Sequence, residues 1–179
     1  MATRPVTARD DAHEGAGILN RPQLSVIAAD MVDLVSSSGG WLYDRARAGW
    51  TVNVVVGAAR EVRPLTILGA TPVFADATSV LETTGALAVS AELLRRDARV
   101  CEQVLRLWNA GVTEVTVWGT SWPDQLGRRV DPVQHRLSVA ARAFKAHALA
   151  AAQAARQDVA ATETLFDLGS EAFRPLYPV

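Results

Sequence analysis

Thr51-Val52-Asn53-Val54-Val55-Val56, closed by Gly57, is the stretch on which the fold class turns. Its β-branched content and shortness read as a strand, and the glycine ends it. Two further runs stop in the same way: Leu65–Leu68 before Gly69, and Glu114–Trp118 before Gly119. Binding sites in α/β proteins gather where strands end, because backbone approaches a ligand there and glycine permits the closest approach. Between the second and third runs, residues 79–110 read as helical throughout, which makes a strand–helix–strand unit long enough for a parallel crossover. Only about eight residues, Gly57 to Pro64, separate the first two runs. That is short of a crossover, so these two are expected to be antiparallel. Gly69 and Gly119 then share a sheet edge, and Gly57 is a turn.

Upstream, Pro22 opens an expected helix whose apolar stripe is Leu24, Ile27, Ala28, Met31, Leu34 and Val35. Asp30 and Asp33 share another face of it and read as solvated. Ser36 to Gly40 reads as a helix–helix connector, with a second helix from Trp41 to Ala48. A Ser/Gly loop before a helix is also the chain's best phosphate cradle, since free N–H groups and the helix dipole favour an anion. Downstream, Asp131-Pro132 is expected to cap a long alanine-faced helix running to about Ala160, roughly 40 Å at ~1.5 Å per residue. Such length exceeds a domain of this size and predicts self-association through that helix. Residues 1–21 read as a flexible leader and 22–179 as a single α/β domain. The expected architecture is a small mixed sheet of three to five strands with helices on both faces.

Composition narrows the function classes. The chain has 179 residues, 49% hydrophobic and 21% charged, with formal net charge −1, so no whole-chain field favours nucleic acid or an anionic membrane. A single cysteine, Cys101, excludes an internal disulfide and a Cys-rich zinc site. No apolar run is long enough to span a bilayer, and a cytoplasmic location is expected. Arginine outnumbers lysine seventeen to one, Lys145 being the single lysine, and alanine is abundant. This bias points to a GC-rich bacterial genome and discounts Arg-rich stretches as evidence of binding.

No catalytic constellation, cofactor fingerprint or metal cluster is legible. The histidines are His13, His135 and His147, none beside a nucleophile. Acidic residues at 10, 11 and 14 flank His13, but on a mobile leader they fix no geometry. Trp118 and Trp122 bracket small polar residues and make a fair pocket wall. The expected ligand-binding set is therefore Gly69 and Thr71, with Trp118, Gly119, Thr120, Ser121, Trp122 and Asp124. Ser38, Gly39 and Gly40 form a second group. The leading expectation is a non-enzymatic, homo-oligomeric domain that binds a protein partner or a small anionic ligand. The alternative is an enzyme or nucleotide or sugar-phosphate binder using loops 37–40, 69–71 and 119–124. A third reading is nucleic-acid binding by the basic helix 128–156.

Overall fold

The run Leu24-Ser25-Val26-Ile27-Ala28 is a strand and not the start of a helix. In the computed structural model, which describes residues 21–57, 61–81, 85–111, 113–120, 126, 131–155 and 158–168, β1 is Gln23–Ala28. It pairs in parallel with β2 (Thr51–Val56) on one side and β4 (Ala86–Ser90) on the other. A strand buried on both faces reads as a continuous apolar run, so its period is easily taken for a helix. Leu24, Val26 and Ala28 enter one core and Ile27 the opposite one.

Five parallel strands, followed by β7 running against them and β6 antiparallel to β7, make a seven-stranded sheet in the order β3-β2-β1-β4-β5-β7-β6. Here β3 is Thr71–Pro72, β5 Val115–Trp118, β6 Asp131–Arg136 and β7 Thr162–Leu168. This overturns the expected sheet of three to five strands, although the class, α/β with helices on both faces, stands. Three of the extra strands, β1, β4 and β6, lie in segments whose periodicity suggested helix. β4 interrupts 79–110, entered through Gly85 at φ 149°, where a Cβ would sit 2.9 Å from the Gln23 carbonyl oxygen. β6 takes the first part of the expected long helix, an edge position that tolerates Pro132.

The run Leu65–Leu68 goes the other way. It lies in α2 (Arg63–Ile67) and Leu68 caps it, with Pro64 in the first turn, where its missing N–H costs nothing. The remaining helices are α1 (Met31–Arg47), α3 (Ala77–Val80), α4 (Ala91–Arg96), α5 (Ala98–Asn109) and α6 (Val139–Ala151). Asp97 caps α5 and separates it from α4, its carboxylate accepting from the N–H groups of Arg99 and Val100. α6 has 13 residues, capped by Ser138 through the Ala141 N–H. The 40 Å helix does not exist, and with it goes the ground for self-association and for a continuous basic nucleic-acid face. Among the described residues no helix is long and apolar enough to cross a membrane.

α1, α2 and α6 pack on one side of the sheet and α3, α4 and α5 on the other. The chain leaves β1 outward to β2 and β3, then returns to β4 and β5 on its far side. Between β1 and β4 the winding reverses, and a crevice opens at the carboxyl ends of those strands.

Candidate functional site

At that reversal β1 ends in Ala28-Ala29-Asp30. Asp30 caps α1, its Oδ1 accepting from the Asp33 N–H at 3.0 Å. The cap turns the next helical turn so that Asp33 and Ser37 face the crevice with it. Asp33 is held on both oxygens: Ser37 donates its hydroxyl to Oδ1 at 3.2 Å, and the Trp118 indole N–H donates to Oδ2 at 3.0 Å. Trp118 is fully buried at the end of β5, so the donor it presents is rigid. From β4, Ser90 caps α4 and places Glu92 and Arg96 on the opposite wall. Arg95 bonds Glu92, and Arg96 pairs with it too; together they hold its carboxyl below the usual range.

This lobe has a volume of about 360 Å3 and adjoins a second of about 440 Å3, the two sharing Ser37, Gly119 and Thr120 in their lining. The second lobe lies over β7 and α6, where Leu149, Val159 and Phe166 supply apolar surface and Ser36, Thr162 and Thr164 supply polar groups. Lys145 and Glu163 form its floor. They pair at 2.6 Å with side chains only 6% and 2% exposed.

The Lys145–Glu163 pair reaches into the middle of α1. The Gly40 and Trp41 N–H groups donate to the two Glu163 oxygens at 2.9 and 2.8 Å, and Lys145 Nζ donates to the Ser36 carbonyl at 2.6 Å. Gly39 and Gly40 make room for this approach. A Cβ on Gly40 would lie 2.5 Å from Leu137 Cδ2, and one on Gly39 would lie 3.7 Å from Lys145 Cγ. Free N–H groups at the Ser/Gly stretch do attract an anion, as the sequence suggests, but that anion is the chain's own carboxylate. Ser38, buried, donates to the Leu34 carbonyl at 2.9 Å. Ser38, Gly39 and Gly40 are thus placed in the helix and not on the crevice, while Ser37 lines it.

The other expected site residues divide. Trp118, Gly119 and Thr120 meet at the crevice. Gly69 precedes the parallel strand β3 and Thr71 begins it, at the side of the sheet opposite the carboxyl end of β5. Gly57 instead lies on the crevice side, where a Cβ would be 3.8 Å from the Ala29 carbonyl oxygen. Ser121, Trp122 and Asp124 lie outside the described residues, as does His13. Asp30, Asp33, Lys145 and Glu163 were not among the expected site residues. For Lys145 a signal existed: it falls in register with the buried Ala141 and Ala148 of α6.

His135 belongs to a separate cluster. Its Nε2 meets Asp44 Oδ2 at 3.0 Å, and Ser138 donates to Asp44 Oδ1 at 2.7 Å. The carboxylate is the hub and the histidine does not face the serine, so this is no hydrolytic triad. It lies at the far end of α1 from the crevice. Burial tends to raise the Asp44 pKa, but hydrogen bonds from Ser138 and His135 outweigh it and the net shift is downward.

No family model matches the chain, and no curated protein matches it in sequence. Solved structures do match in fold. One is a zinc-inhibited form of a teicoplanin deacetylase, at TM-score 0.57 and 10% identity, over 81% of this chain and 97% of that one. A deacetylase of the A40926 pseudoaglycone matches at 0.50 and 15%, over 75% and 83%. The 4-carboxy-2-hydroxymuconate hydratase of Pseudomonas putida matches at 0.54 and 13%, over 87% and 100%. At these identities the likeness is one of fold. The proteins named are enzymes, so the comparisons lend the non-enzymatic expectation no support. Among the described residues no three His, Cys, Asp or Glu side chains are placed to hold a metal ion together.

Proposed function

We propose that the chain is an enzyme that acts on a small molecule in the crevice, with Asp33 as the carboxylate that activates water. The carrying observation is Asp33 itself. A carboxylate fixed on both oxygens by a buried indole and a hydroxyl, at the winding reversal of a parallel sheet, is a positioned base. Support comes from the fold, which serves deacetylases and a hydratase, names that share attack of water on a polar unsaturated group.

Between those two chemistries the electrostatics favour the first. Three carboxylates, Asp30, Asp33 and Glu92, line the first lobe against two guanidiniums, Arg96 on its wall and Arg95 bonded to Glu92, which leaves Asp30 and Asp33 to set a negative balance. This field repels a carboxylate-bearing substrate and favours a departing amine. In the proposed step the water oxygen bonds to an amide carbonyl carbon while a proton passes to Asp33. The C–N bond then breaks, and the same proton moves to the leaving nitrogen, giving a carboxylic acid and an amine. The same field weighs against the nucleotide and sugar-phosphate alternative.

The test is acetate release, followed by NMR, from a panel of small uncharged N-acetylated amines. Turnover of at least one member is expected, with Asp33→Asn lowering kcat by about a hundredfold or more while thermal unfolding is unchanged. An inert panel, or an Asp33→Asn chain as active as its parent, would sink the reading.

A further inference from the structure

We infer that the two lobes form one bipartite site for an elongated small molecule without negative charge, its reacting end at Asp33 and an uncharged, partly apolar body over β7 and α6. The inference deepens the reading of Asp33 as reacting carboxylate and rests on it for the direction in which the ligand lies. Three residues, Ser37, Gly119 and Thr120, line both lobes, which places the lobes side by side at the carboxyl ends of the strands. The trough runs from the end of β1 across β4 and β5 to β7. Three inter-strand steps of ~4.8 Å make it roughly 14 Å long. That exceeds any acetyl group and leaves the second lobe to something attached to it.

Charge selects what that something is. In the second lobe Lys145 and Glu163 neutralise one another at 2.6 Å, both oxygens of Glu163 are engaged, and Lys145 also donates to Ser36. Neither remains as a counter-charge for a ligand. The other ionisable group there, Asp158, is exposed and acidic. Leu149 and Val159 favour burial of a hydrocarbon face, and Thr162 supplies a neutral polar group, the Thr164 hydroxyl already accepting from Gln134 at 2.8 Å.

The test uses N-hexylacetamide, hexylammonium, hexanoate and the short N-methylacetamide as probes, followed by backbone amide shifts of the full chain. N-hexylacetamide should perturb Asp33 and Ser37 together with Leu149 and Thr164, and bind about tenfold tighter than N-methylacetamide. Hexanoate should bind about tenfold more weakly than hexylammonium. Filling the second lobe by Thr164→Trp or, at a separate exposed position, Ala160→Trp should reduce N-hexylacetamide to the level of the short probe. Equal binding of hexanoate and hexylammonium would overturn the charge selection. Unchanged N-hexylacetamide binding in both filled variants would overturn the second lobe. An Asp33→Asn chain that still turns over substrate while N-hexylacetamide reaches both lobes removes the reacting role of Asp33 and leaves the bipartite site standing. Asp33-dependent turnover without shifts at Leu149 or Thr164 does the reverse.

Discussion

Two residues, Lys145 and Glu163, decide how the site is held. A buried ion pair gains little over an apolar pair, because desolvation offsets its Coulomb attraction, but removing one partner strands the other. Here each partner also satisfies the α1 backbone, so Glu163→Gln should cost about 3–5 kcal/mol, read from urea unfolding. Lys145→Met should cost a similar amount. The double replacement should fall well short of the sum of the two, since the first change already breaks the network. Additive losses would show that the two side chains act independently. Gly40→Ala tests the close approach from the other side. With Leu137 Cδ2 2.5 Å from the added methyl, it should destabilise by about 1–3 kcal/mol, and Leu137→Val should recover part of that. At this scale the sequence was only partly legible. Trp118 to Thr120 announced a strand end, whereas Gly39-Gly40 read as a connector and lies inside α1. What approached the glycines was not readable, because Glu163 lies 123 residues from Gly40 and no local pattern encodes such a partner.

At the scale of elements, two of the missed strands share one physical source. Strands β1 and β4 are covered on both faces, so their apolar residues do not alternate, and each was absorbed into the helical pattern that follows it. β2 and β5 were legible because β-branched residues dominate them and glycine stops them. The junction of β6, α6 and α1 is fastened by Asp44, through His135 and Ser138. Its folded pKa lies below the ordinary 3.8. A carboxyl with a depressed folded pKa stabilises the fold above its unfolded value, and that contribution is lost as pH falls through the folded one. The stability gap between the parent chain and Asp44→Asn should therefore be full at neutral pH and close progressively below about pH 4. Denaturant midpoints measured across that range decide it; a gap independent of pH would mean that the charge on Asp44 is irrelevant.

For the whole molecule, the question is whether the antiparallel edge is an ornament on a self-sufficient parallel sheet. The geometry says it is not. Leu137, Ala141, Ala148 and Leu149 complete the core over Val35, Tyr43 and Leu68, and Leu165 enters the core shared by β1 and β2. Without β7, the β5 edge that pairs with Leu168 through Phe166 is bare, and the Gly40 and Trp41 N–H groups lose their acceptor. Replacing those contacts with water inside α1 would disturb the helix about one turn beyond Ser37. A chain ended before Asp131 should therefore lose cooperative unfolding altogether, instead of melting as a smaller but intact domain. Near-ultraviolet circular dichroism with a thermal scan distinguishes the two. A sharp transition in the shortened chain would show that the parallel half holds the crevice by itself, and that the Lys145–Glu163 link serves only the edge.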